Sequence, residues 1–229
     1  SFALIFRACP GAGGEAKSQA KFPTRISYVV EIIKAAGWPI WPLLLASIIS
    51  VALIIERLVA LRRSSVVPQG LLQRAVGEFK RGANNDKLLD ELDRHSPLGR
   101  VLSAGLRNVN NSREVMKESI EEAGSAVTHE LSRYLTTLGT IASISPLMGL
   151  FGTVIGMIEI FGAQAPSGTN PLQLAHGISI ALYNTGAGIF IAIPSMIFWR
   201  HFRAQVDGFV VEMEQQAVRL VEYMHGDRK

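Results

Sequence analysis

Charged and apolar positions segregate along the 229-residue chain into long blocks. Residues 35–55 (AAGWPIWPLLLASIISVALII) and 134–158 (YLTTLGTIASISPLMGLFGTVIGMI) contain no Asp, Glu, Lys, Arg or His. Residues 160–199 contain no Asp, Glu, Lys or Arg, and PSGTNP at 166–171 interrupts that stretch with turn chemistry. A membrane-spanning helix needs about 20 apolar residues at about 1.5 Å each. The pattern therefore predicts spans at 35–57, 134–163 and 175–199, with a hairpin at 164–174.

Outside the blocks, apolar positions recur at helical intervals. After Asn110-Asn111-Ser112 no helix breaker occurs before Pro146, and Met116, Ile120, Ala123, Val127, Leu131, Tyr134 and Leu138 step by fours and threes. The second span is thus the continuation of a helix about 50 residues, or about 75 Å, long. Beyond the third span, Phe202, Val206, Phe209, Met213, Ala217, Leu220 and Met224 repeat the same steps through 200–229. Two amphipathic helices with matched seams can pack as an antiparallel pair, the alternative being two unrelated surface helices. Residues 58–133 have the balanced charge and helix punctuation of a domain of short helices; Ser96-Pro97 suits an N-cap followed by Pro at the first helical position. ISYVVEIIK at 26–34 suits a short amphipathic helix lying along the membrane interface, with Trp38 and Trp41 at headgroup level. Residues 1–25 read as a poorly ordered tail. The predicted fold is an all-α membrane protein with three transmembrane helices, the second and third extending far into a helical cytoplasmic domain.

Charge sets the orientation. Arg57, Arg62 and Arg63 follow the first span, Arg133 precedes the second, and Arg200 and Arg203 follow the third, whereas the hairpin carries no charge. Those three ends are predicted to face the cytoplasm, and the N-terminal tail and the hairpin the periplasmic side. Arg7, Lys17, Lys21, Arg25 and Lys34 run against this arrangement; residues in the turn flanking each span carry more weight.

Composition narrows the chemistry. Charged residues make up 18% of the chain, against roughly 25% in soluble domains. The net charge of +4 fits a lipid-facing cytoplasmic side, and no basic stripe with interleaved aromatics suggests nucleic acid. A single cysteine, Cys9, permits no internal disulfide. His95, His129, His201 and His225 stand in no HExxH or CxxC context, so neither metal nor cofactor is predicted. No nucleophile and base stand in register for an enzyme.

GLFGTVIGM at 149–157 has no lysine for a phosphate loop and no preceding strand for a dinucleotide loop. It has helical spacing instead: Ala142, Ser145, Gly149, Gly152 and Gly156 form one stripe of small residues, and Ala181, Thr185, Gly188, Ala192 and Ser195 form another in the third span. In lipid, helices associate through close backbone approach and interhelical hydrogen bonds, so these stripes are predicted packing faces. Thr153 and Thr185 admit two readings, a hydroxyl bonded to its own helix or a polar lining for a pore or partner helix. Asn184 favours the lining, because an amide at mid-membrane needs an outside partner. Glu159 and His176 sit at corresponding outer ends of spans two and three, either in contact across a periplasmic mouth or as separate interfacial residues.

GLFGTVIGM at 149–157 together with GISIALYNTGAGIFIAIPSMIFWRHF at 177–202 resembles the ExbB/TolQ/MotA family of proton-channel proteins, its ExbB branch above all, and the likeness covers about residues 35–225. Flagellar MotA proteins have four spans, so the chain departs from that branch. The resemblance implies a multi-pass subunit of the bacterial inner membrane that forms a pentamer around an ExbD-like single-span partner. An aspartate of that partner carries protons, and a TonB-like protein relays the work to outer-membrane receptors. It also implies that Thr153 and Thr185 line the ion path. Where the family usually has a glutamate in the third span, in a GIAEAL context, this chain reads GISIAL and places Ile180. With no carboxylate of its own at mid-membrane, the chain depends on a partner for a proton carrier. A TolQ-like envelope-maintenance role and a non-conducting membrane scaffold are the alternatives.

Overall fold

The computed structural model describes residues 37–82, 85–162 and 171–226. The expected tail at 1–25 with Cys9, the interfacial helix at 26–34 and residues 164–170 of the hairpin lie outside the described residues. Seven helices are described: α1 Ile40–Ala60, α2 Arg63–Val66, α3 Leu71–Lys80, α4 Asn85–His95, α5 Pro97–Arg107, α6 Arg113–Gly162 and α7 Pro171–His225. No strand occurs among the described residues. Helices α1, α6 and α7 are each long and apolar enough to cross a membrane, and at 50 and 55 residues α6 and α7 extend well beyond their apolar spans.

Boundaries of α1 and α7 differ from the sequence reading: α1 begins at Ile40 rather than at 35, with residues 37–39 ahead of the helix. Helix α7 starts at Pro171, so residues 171–174 are helical rather than part of the hairpin; proline is pre-set for the first helical position. Helix α1 continues through Glu56-Arg57 to Ala60, because Arg57 does not turn out to water. Its guanidinium pairs with Glu56 at 2.7 Å, donates to the Leu131 carbonyl of α6 at 3.1 Å and lies 4.7 Å from the Tyr134 ring centre. With those partners the charge is only 5% exposed and the helix gains another turn.

The extramembrane domain is built where the local signals point. The Ser96 hydroxyl accepts the Gly99 amide at 3.0 Å and Pro97 opens α5, a cap worth about 1 kcal/mol. Gly99 lets α5 cross against the Leu92 carbonyl, where any side chain would collide. Gly70, at φ 75°, turns the chain into α3. Leu72, Leu89, Leu92, Leu98 and Leu102 of α3–α5 then pack on Met116, Ile120, Val127 and Leu131 of α6 and Phe202, Val206, Met213 and Leu220 of α7. Burying each such side chain contributes about 1.5–3 kcal/mol.

Candidate functional site

The two long helices run antiparallel at near-constant register. Gly139 meets Trp199, Gly149 meets Asn184 to Gly188, Gly156 meets Gly177 and Ala181, and Ile120 and Leu220 both meet Gly105. In the spans their backbones approach closely. A methyl group at Gly149 would lie 2.8 Å from the Asn184 carbonyl oxygen, one at Gly156 2.8 Å from the Gly177 carbonyl oxygen, and one at Gly188 2.6 Å from the Ser145 carbonyl oxygen. Ala142, Ser145, Gly149, Gly152 and Gly156 are buried on α6, as are Gly188, Ala192 and Ser195 on α7, while Ala181 is half-buried. Pro146 and Pro194 each remove a helical donor. The serine beside each proline bonds a carbonyl of its own helix, Ser145 to Ile141 and Ser195 to Ile191, both at 2.7 Å.

The polar span residues divide into two groups. The Asn184 side chain is 0% exposed: it packs over Gly152, where no Cβ could be accommodated, and its amide nitrogen donates to the Ile180 carbonyl at 2.9 Å. Asn184, expected as a lining residue, thus lies inside the helix pair, where the missing side chain at Gly152 makes room for the amide. The threonines stand at the edge of that pair and are partly exposed. Thr153 donates to its own helix, to the Leu150 carbonyl at 2.6 Å, whereas Thr185 reaches across to the Gly149 carbonyl at 3.4 Å, a long bond. Gly149 lies one turn from Thr153, so both hydroxyls border the same stretch of seam.

Helix α1 packs on the other flank. Trp38, just ahead of α1, meets Phe151 edge-on with ring centres 6.2 Å apart. Phe151 is two residues from Thr153 and therefore points about 200° away from it round α6. Ser50 of α1 and Ser195 of α7 share a buried hydrogen bond of 2.6 Å. The sequence reading missed this bond, although a serine inside an apolar span signals a need for a helix partner. Ile180 is 3% exposed, so the position where the resemblance leads one to expect a glutamate is filled by packed hydrocarbon. Glu159 and His176 are both exposed, and among the described residues they form no ion pair with each other.

Outside the spans, Arg100 of α5 pairs with Glu130 of α6 at 2.6 Å. The hydrogen bond from Arg100 holds the Glu130 carboxyl below its ordinary range. No cluster of His, Cys, Asp or Glu suited to a metal occurs among the described residues.

These features describe an all-α membrane protein in which two glycine-trimmed helices present threonines on one flank and the third helix covers the other. The model of the MotA/TolQ/ExbB proton channel family matches residues 93–215. The chain is 35% identical to the biopolymer transport protein exbB1 of Vibrio cholerae over 167 residues, covering 70% of this chain and 72% of that protein. It is 30% identical to the ExbB-like 3 protein of Synechocystis sp. over 184 residues, 74% and 82% of the two chains. To the ExbB homolog of Methanothermobacter thermautotrophicus it is 26% identical over 187 residues, 81% and 67% of the two chains. The chain belongs to the MotA/TolQ/ExbB proton channel family and is ExbB-like.

Proposed function

We propose that this protein is the pore-forming, non-enzymatic subunit of a motor driven by the proton motive force across a bacterial inner membrane. It sits with its N-terminus periplasmic and its C-terminus cytoplasmic, and assembles as a pentamer around an ExbD-like single-span helix bearing an intramembrane aspartate. A TonB-like protein then relays the work to active transport at the outer membrane. The observation that carries this reading is the placement of Thr153 and Thr185 on the flank of α6 and α7 turned away from α1, in spans that hold no Asp, Glu, Lys, Arg or His from Tyr134 to Ile158 and from Gly177 to Trp199. Hydroxyls on such a flank lower the cost of a passing ion while leaving the protonatable group to the partner. Asn184 holds the helix pair in register beside them, and Glu159 and His176 flank the periplasmic end.

Replacing both threonines by valine keeps their shape and removes the hydroxyls. In vesicles containing the protein and its single-span partner, the T153V/T185V protein should assemble as the natural one does and lose at least ten-fold in proton flux. Unchanged flux from an intact assembly would show that the threonines do not line the ion path.

A further inference from the structure

Outside the spans, the flank of α6 and α7 that bears the threonines opens into a groove of about 540 Å³ between α5, α6 and α7. At about 100° per residue, Glu121, Thr128 and Ser132 lie within about 60° of Thr153 round α6, and Val210, Glu214 and Ala217 within about 40° of Thr185 round α7. The lining has two halves of different chemistry. Val101, Ile120, Met213 and Ala217 are buried and supply an apolar floor, whereas Glu121 and Glu214 stand exposed at the rim with Ser125. In a chain of net charge +4, no Lys or Arg lines this groove among the described residues, and neither carboxylate has an ion-pair partner among them. His129 is the one titratable base on the lining.

We propose that this groove holds a basic cytoplasmic flank of the single-span partner. The inference rests on the partner proposed above and assigns a seat to the segment of it that leaves the membrane. Reach supports that occupant. A helix held beside Thr153 and Thr185 emerges near Tyr134, where the charge-free stretch of α6 ends, and Ser125 lies nine residues, about 13 Å, beyond. About four extended residues cover that distance, well inside the stretch of about 15–20 residues over which Lys and Arg gather on the cytoplasmic side of a span. Chemistry agrees as well. Lys and Arg lay their methylene stems on apolar surface and keep the charge at its edge, which is the order of floor and rim in this groove. The Thr128 hydroxyl donates to the Gly124 carbonyl at 2.8 Å and keeps its acceptor pairs for an incoming cation or amide. A lipid headgroup suits the site poorly, because two unpaired carboxylates repel its phosphate.

The test uses the full-length protein, co-expressed with its single-span partner in native membranes, with Cys9→Ser as background. Ser125→Cys, labelled with benzophenone maleimide and irradiated, should give a product of this chain joined to the partner, and mass spectrometry should place the link in a Lys- or Arg-bearing segment on the cytoplasmic side of the partner's span. Glu121→Gln combined with Glu214→Gln should lower that product at least five-fold while the partner still co-purifies through its span. Glu78→Gln combined with Glu91→Gln, which removes the same charge from exposed positions outside the groove, should leave the product unchanged. A partner that co-purifies without a product overturns the seat alone and leaves the proposed function standing, as does a link to a second copy of this chain or to an uncharged or acidic segment. A product undiminished by the groove glutamines overturns it too, since the acidic rim would not be what holds the segment. Failure of any single-span protein to co-purify overturns both this seat and the proposed partner.

Discussion

Helices α6 and α7 pair twice, by different means at their two ends. Outside the spans they meet through Met116, Ile120, Val127 and Leu131 against Phe202, Val206, Met213 and Leu220. Inside them the same helices close over Gly149, Gly156 and Gly188, where a single methyl group would strike a backbone carbonyl. The solvent accounts for the difference. In water each buried Å² of apolar surface contributes about 25 cal/mol, so bulk is favoured. Lipid is as apolar as the side chains themselves, so contact depends on close approach and hydrogen bonds, and bulk is removed.

The comparison breaks if the two ends respond alike to substitution. Phe202→Ala empties a fully buried site in the extramembrane core and should cost about 3–5 kcal/mol, read by chemical unfolding in detergent. Gly188→Ala adds one methyl group and should cost about 1–3 kcal/mol, while Gly77→Ala, with open space around it, should stabilise α3 by about 0.5–1 kcal/mol. A neutral Gly188→Ala would mean that the spans are not tightly apposed.

A smaller effect sharpens the electrostatics of the extramembrane end. The Glu130 carboxyl, held below its ordinary 4.5 by Arg100, contributes stability above the unfolded-state value and loses it as pH falls through the lower folded value. Glu130→Gln should therefore flatten the fall in stability on acidification below about pH 4.5. Both partners are substantially exposed, so the effect is at most about 1 kcal/mol. An unchanged acid limb would show that the pair contributes nothing in solution.

Periodicity made much of this architecture legible. The three apolar blocks, the steps from Met116 to Leu138 and from Phe202 to Leu220, and the spacing of Gly149, Gly152 and Gly156 all follow from 3.6 residues per turn. Burial partners were not legible, because they depend on which faces meet. Asn184 read as a polar group in search of an outside partner, yet Gly152 on another helix leaves it a closed site. Arg57 read as the end of the first span, and its partners, the Leu131 carbonyl and the Tyr134 ring, 74 residues and more along the chain, could not be read from it. Ser50 carried a signal without an address: its need for a partner was visible, but Ser195 was not.

The central claim is that these spans offer a neutral lining and no proton carrier of their own. Proton flux through vesicles holding the purified protein, measured with and without the single-span partner under an imposed potential, tests it most directly. The account predicts proton-tight vesicles for the protein alone and flux once the partner's acidic helix is present; flux from the protein alone would contradict it.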